Sequence, residues 1–344
     1  MESSAQANSA SGRTKDGFNC HIQDESTGVT SAPVTLIARE PSMKRVVHPA
    51  NLLFIVLLAG LFWPTDGSGV PYHLVAVSVA IEVIYLLRVT LCSEKSARSS
   101  AGDVAAVLYL FLLFWYLATG RFVILDTMLF PKPEEVLQLF VAELPDMLKG
   151  LVNSLILLVS GYLLALGLGL PLGLLVGWRV RLFKAVNPFT KVLGPIPPIV
   201  YIPYAIALLP SFRAASIFVI FIGAFWPIFI NSVHGVFNIP KGLIDSAKVL
   251  NLRESTLLFR IILPGAMPSI CTGATLALVF SLVLLTAAEL IGANSGIGWY
   301  VKNFADFADY KRVIVGIIFI SIVVTVITWG TERLERHLLR WRTT

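Results

Sequence analysis

Asp245-Ser246-Ala247-Lys248-Val249-Leu250-Asn251, followed further on by Ile261-Ile262-Leu263-Pro264, lies between two long apolar stretches of the chain. The segment is polar enough to stay outside lipid. Pro240 suits a first helical turn. From there Ile244, Ala247 and Leu250 can share one face, with Asp245 and Lys248 on another. Asn251 then interrupts the run, because asparagine is among the few residues that accept a left-handed backbone and so can end a helix. Asn251 and Glu254 also have capping-box spacing for a second helix. That helix would carry Leu257, Leu258, Ile261 and Ile262 before Pro264 starts the next apolar stretch. The expectation is a projection of two short helices set at an angle.

The surroundings are those of a membrane protein. The 344 residues are 56% hydrophobic and only 14% charged, outside the soluble globular norm. About 20 apolar residues at 1.5 Å rise cross a roughly 30 Å hydrocarbon core. Stretches of that kind run near 46–63, 71–92, 104–124, 149–178, 188–210, 213–235, 264–290 and 312–331, so eight spans are expected. The first is the weakest, shortened by Pro49 and Asn51 and ended by Pro64. Lys and Arg set the orientation. Arg88, Lys95 and Arg98 flank one loop, and Arg179, Arg181, Lys184 and Lys191 crowd another. Lys241, Lys248, Arg253 and Arg260 fall in the next alternate loop, and Arg333, Arg336, Arg340 and Arg342 close the chain. All share one side with Arg39, Lys44 and Arg45 if both termini are cytoplasmic. The net charge of +6 then reflects positive-inside topology, not nucleic-acid binding.

Residues 1–45 are rich in Ser, Thr, Gly and charge without an apolar run, the composition of a disordered cytoplasmic tail, and they do not read as a secretory signal. Residues 46–100 hold two spans joined by the tight turn Pro64–Gly69. Residues 101–344 hold six more. Phe130–Leu137 reads as a loop entering an amphipathic surface helix, with Glu134 and Glu135 on its dipole-favoured first turn. Gly161, Gly167, Gly169, Gly173 and Gly177 mark the fourth span, and two GxxxG pairs there allow close backbone approach, for static packing or for sliding. Pro195, Pro197, Pro198 and Pro203 interrupt the fifth, making Ile196 to Tyr204 a candidate pathway wall or a simple kink. Cys20, Cys92 and Cys271 fit neither a disulfide framework nor a metal site.

The order of an acidic residue, two small residues, a turn residue and Ile-x-Leu-Pro resembles the EAA loop of ABC importer permeases, carried here by Asp245, Ser246, Ala247, Asn251, Ile261, Leu263 and Pro264. Asn153-Ser154-Leu155, the glycine-rich fourth span, Gly194–Pro198, Gly223–Pro227, Ala288–Leu290 and Ser295–Tyr300 are similar to the nitrate/sulfonate/taurine-type subfamily, over roughly 125–340. The resemblance implies an all-α polytopic fold: a six-helix type I permease core with about two extra N-terminal transmembrane helices. It also implies an inner-membrane location and an ATPase-coupling hairpin at 240–263, formed by Asp245, Ser246, Ala247, Lys248, Asn251, Arg253, Glu254, Ile261 and Pro264. Its implied partners are P-loop ATPase subunits, a periplasmic solute-binding protein and a second copy of the chain. The usual Glu-Ala-Ala is Asp-Ser-Ala here, and the usual bend glycine is Asn251. Leu157 stands where an arginine is common, and the outer tip Leu208–Arg213 lacks the usual Phe-Gly.

No G-x-x-x-x-G-K-[ST] loop occurs in the sequence, so ATP hydrolysis is expected on a partner, and no cofactor or metal is expected. Asn153, Ser154, Pro198, Tyr201, Trp226, Ser281, Thr286 and Glu289 are the candidate translocation-path residues, each polar one equally suited to an interhelical hydrogen bond. Glu82 and Glu289 draw notice as acids in apolar spans. Glu289, near an outer end, suits a gate or a wetted interface; Glu82 suits a pairing between helices. The expected cargo is a small anion such as sulfonate, taurine, nitrate or bicarbonate. An ion-gradient-driven secondary transporter is the alternative, although only the 195–204 region is proline-broken. A membrane enzyme would have to rely on Glu82, Glu289 and His234, which make no acid–base constellation.

Overall fold

A computed structural model describes residues 49–62, 71–91, 95–122 and 124–340, without the side chains of 91, 95–98 and 248. The tail 1–45, the turn at 64–69, Cys20 and Cys92 lie outside the described residues. Twelve α-helices follow in order among those described: α1 (Pro49–Phe62), α2 (Tyr72–Leu91), α3 (Lys95–Tyr116), α4 (Pro133–Trp178), α5 (Val180–Leu193), α6 (Ile202–Leu208), α7 (Phe212–Phe237), α8 (Lys241–Val249), α9 (Glu254–Leu257), α10 (Leu263–Gly292), α11 (Ile297–Asp306) and α12 (Tyr310–Leu338).

Six helical runs are long and apolar enough to cross a membrane, and a bent pair supplies a seventh. That pair is the proline-rich fifth span. α5 and the stretch Pro198–Leu208 meet at 79°, so the prolines break the helix outright. α1 is described over 14 residues, about 21 Å of rise and short of the hydrocarbon thickness by itself.

Close approach at small residues builds the centre. On α4, Gly161, Ala165, Gly169, Gly173 and Gly177 recur every fourth residue and so share one face. That face lies on α7. A Cβ at Gly173 would stand 2.6 Å from Ser232 Cβ and 2.8 Å from the Phe229 carbonyl, and one at Gly161 would stand 2.7 Å from Ile220 Cγ2. Gly167, off this stripe, has nothing within 4 Å. An adjacent face of α7 takes α10 just as closely: a Cβ on Gly273 would meet Asn231 Cβ at 2.5 Å, and one on Gly235 would meet Ala266 at 3.0 Å. α7 is thus held between α4 and α10. The glycine pattern reads here as interhelical packing.

Two expectations change. The surface helix expected after Phe130 is not separate from the fourth span, since α4 runs unbroken for 46 residues, about 69 Å. Its first half continues through Pro145 because Val136 and Met147 are buried against Ile297, Tyr300, Val315 and Phe319 of α11 and α12. Pro264 does stand in the first turn of α10, but no break separates that helix from the hairpin. Glu254–Gly292 is one run of 39 residues, and the π turn Leu258–Ile262 precedes the proline. In that turn the Leu263 N–H reaches back to the Leu258 carbonyl, the wider hydrogen-bonding step that accommodates a residue lacking a donor.

A separate buried cluster joins α1, α2 and α3 through Ala50, Leu57, Leu61, Leu74, Tyr85, Ala105 and Tyr109. Inside it, Glu82 accepts a 2.8 Å hydrogen bond from the Tyr109 hydroxyl, which gives the mid-span acid a partner on the neighbouring helix.

Candidate functional site

Three groups of residues carry the candidate chemistry: the α8–α9 hairpin, a buried carboxyl at the far end of α10, and the broken fifth span. In the hairpin, α8 ends at Val249 and Asn251 follows with φ of 46°, the left-handed conformation expected of it. The capping box does not form. Arg253 is the N-cap residue of α9, with extended backbone and no side-chain cap bond, because Asn251 is spent on the turn itself. Ala247, Leu257 and Ile262 bury their side chains against Leu174 at the end of α4, Val236 and Ile239 at the end of α7, and Ala266 and Ile270 of α10. Ile244 and Ile261 pack at the margin of this cluster. Leu250 does not join them: it lies beyond the end of α8 and is 71% exposed, beside Val249 at 85%.

The rest of the hairpin forms a polar rim. Asp245, Ser246, Asn251, Arg253, Glu254 and Pro264 are exposed, and the side chain of Lys248 lies outside the described residues. Arg179, in the junction between α4 and α5, closes the rim with a 2.7 Å ion pair to Glu254. Sequence reading missed that partner, because the two residues lie 75 positions apart with only their opposite charges to connect them.

Glu289 is fully buried, not at a wetted interface. Its Oε1 accepts the Ser154 hydroxyl from α4, and its Oε2 accepts the Gly298 N–H at 2.7 Å from the first turn of α11. Ser154 Oγ in turn accepts the Ile297 N–H at 2.9 Å. Glu289 and Ser154 therefore satisfy two of the donors that a helix N-terminus leaves open. Gly296 precedes that helix with φ of 132°, and a Cβ there would stand 2.3 Å from Glu289 Oε1, so both conformation and space require glycine. Asn153 reaches across to Ser295 Oγ at 3.3 Å. Asn153, Ser154 and Glu289 thus come together around the loop between α10 and α11.

The other path candidates are dispersed. Ser281 is buried and returns its hydroxyl to the Ala277 carbonyl of its own helix, and Thr286 does the same to Leu282. Pro198 packs near Gly223 of α7, in the short 3₁₀ turn that ends with Tyr201. Trp226 stands edge-on to Phe225 and Phe229. His234 borders a small cavity of about 40 Å³ with Asn187 and Thr190. Among the described residues no three His, Cys, Asp or Glu side chains gather as metal ligands. On α11, outside the spans, burial and then the Glu143 carboxylate push the Tyr300 phenol above its ordinary pKa, which keeps it neutral.

Residues 169–340 match the family described as binding-protein-dependent transport system inner membrane component. A probable ABC transporter permease protein of Brucella abortus (strain 2308) is 30% identical over 230 residues, 66% of this chain and 90% of that one. The chain belongs to this family. It is a multi-pass membrane permease of the ABC importer type. The nitrate import permease protein NrtB of Leptolyngbya laminosa is 37% identical over 163 residues, and the match spans 47% of this permease and 58% of that protein. The bicarbonate transport system permease protein CmpB of Synechocystis is 33% identical over 178 residues, 52% of this permease and 64% of that one. A solved structure, inward-facing MetNI methionine ABC transporter, superposes with a TM-score of 0.52 at 19% identity, covering 57% of this permease and 98% of that chain. That likeness shows the shared fold.

Proposed function

We propose that this permease forms the solute path of an ATP-driven importer as a homodimer, with the α8–α9 hairpin docking on a separate ATPase subunit. The observation that carries the reading is the way the hairpin is seated. Its inner face is buried on the ends of α4, α7 and α10, while Asp245, Ser246, Val249, Leu250 and Asn251 form an exposed outer rim. A push on that rim is delivered to three long helices at once, because a close-packed cluster transmits displacement with little give. Family membership supports an ATPase and a solute-binding protein as partners. Within one chain α5 buries none of its residues, which supports a second copy against it.

The cargo is a small anion. Support comes from relatives named for nitrate, for aliphatic sulfonates and for bicarbonate. Both termini lie in the cytoplasm on the basic side of the topology. Residues 46–100 are an addition to a core that begins near 101, and Arg253 and Glu254 belong to the docking rim with Lys248.

Reconstitution with the ATPase and binding protein tests this. Uptake should require ATP, and Asp245→Lys should abolish uptake while the permease still reaches the membrane. Uptake that survives ATP depletion and collapses with a proton or sodium ionophore would establish the gradient-driven alternative instead.

A further inference from the structure

Between α2 and α3 lies a cleft of about 480 Å³ that none of the residues discussed above as functional lines. Its walls are Ile81, Ile84, Tyr85 and Arg88 on α2, and Ser100, Ala101, Val104, Ala105 and Leu108 on α3. The hydrogen bond from Tyr109 to Glu82 fixes the antiparallel register of the two helices. Counting back from it, Leu108 falls opposite Val83, Ala101 and Ser100 fall opposite Thr90 and Leu91, within a turn of Arg88, and Arg88 itself falls opposite Asp103. The cleft is therefore graded along its length. One end carries Arg88 and the Ser100 hydroxyl, Tyr85 adds a phenol, and the other described lining side chains are apolar.

The trough exists because Ala101 and Ala105, one helical turn apart, bring almost no side-chain bulk to that face of α3. Its rim residues Ile84, Val104 and Leu108 are 60%, 59% and 42% exposed. They sit on helices long and apolar enough to span a bilayer, so the cleft opens toward hydrocarbon. Among the described residues that line it, Arg88, near the C-terminal end of α2, is the one with an ionised side chain. Its volume falls within the ordinary range of small-ligand pockets, about 300–1,000 Å³. A basic group at the mouth of an apolar cleft between transmembrane helices is the pattern that binds anionic lipid headgroups.

We propose that this cleft holds an anionic phospholipid, with the phosphate on Arg88 and Ser100 and an acyl chain along Ala101, Val104, Ala105 and Leu108. The first three helices then act as a lipid-reading attachment to the permease. The site needs only the membrane-spanning fold and stands independently of ATPase coupling.

The test is native mass spectrometry of the full chain in mild detergent, titrated with phosphatidylglycerol or phosphatidylethanolamine. The native chain should hold phosphatidylglycerol about fivefold more tightly, the value of one basic side chain near the headgroup plane. Arg88→Gln should bring the two lipids to equal retention with an unchanged unfolding temperature. Ala101→Trp, which fills the trough, should remove both. Equal retention by the native chain, or a preference that survives Arg88→Gln, would overturn the proposal. So would efficient cross-linking of Val104→Cys between two copies of the chain, because the face would then be a protein interface.

Discussion

Ser154 and Glu289, 135 residues apart in the chain, meet through a buried hydrogen bond between α4 and α10, and together they hold the start of α11. Glu289→Ala would leave the Gly298 N–H and the Ser154 hydroxyl without their acceptor in a space closed to water. That should destabilise the permease by about 2–4 kcal/mol. Ser154→Ala should cost about 1–2 kcal/mol. Because the two side chains form one network, the double variant should fall short of the sum by more than about 0.5 kcal/mol. Thermal unfolding in detergent measures all three, and strict additivity would show that the pair does not act as a unit.

Gly173 tests the packing of α4 on α7. With Ser232 Cβ and the Phe229 carbonyl inside 3 Å of any added Cβ, Gly173→Val must push the helices apart. The expected loss is about 1–3 kcal/mol or more. Gly167, six residues earlier on the same helix, faces open space. Gly167→Ala should be neutral or stabilise by up to about 1 kcal/mol through helix propensity. Equal effects of the two changes on the unfolding temperature would contradict the assignment of the stripe.

Glu134 joins the first helices to the rest of the chain. From the start of α4 its carboxylate accepts the Leu74 N–H at 2.9 Å and the His73 N–H at 3.2 Å, capping α2, and lies 2.6 Å from His73 Nδ1. Glu134→Ala should weaken that helix start by about 1 kcal/mol, the usual worth of an N-cap. Hydrogen exchange of the amides near Tyr72–Val75 should accelerate about fivefold. Glu135→Ala next to it should change little, since the Lys311 pair it breaks is 51% and 40% exposed.

How much of this could be read from the residues divides along physical lines. Apolar length marked seven of the eight expected spans but not the first, whose described helix Pro49–Phe62 is too short by itself; proline marked the break before Tyr201, and the left-handed tolerance of asparagine marked Asn251. Those are local signals. The unbroken run of α4 past Pro145 depends on Val136 and Met147 finding α11 and α12, which no window around Pro145 contains. Glu289 stood out as an acid in an apolar span, but its partners Ser154 and Gly298 come from other helices, so its burial could not be read. The bonds of Ser281 and Thr286 back to their own helix could not be read either, because a hydroxyl in an apolar span is equally suited to a partner on another helix.

Asn251 carries the sharpest test of coupling. Its φ of 46° is reached by glycine without strain and by asparagine with little, but a β-branched side chain meets about 1–2 kcal/mol of opposition there. Asn251→Gly should therefore keep both folding and uptake. Asn251→Val should distort the tip of the hairpin while the buried anchors Ala247, Leu257 and Ile262 keep the helix ends assembled. The expected outcome is a permease with a near-native unfolding temperature whose uptake falls at least about tenfold, a loss in coupling equivalent to about 1.4 kcal/mol. Binding-protein-stimulated ATP hydrolysis and uptake, measured on the same proteoliposomes, separate this from a general loss of stability. If valine and glycine behave alike, the bend at Asn251 does not set the docking geometry, and contact must rest on Asp245 and the exposed Val249–Leu250 edge instead.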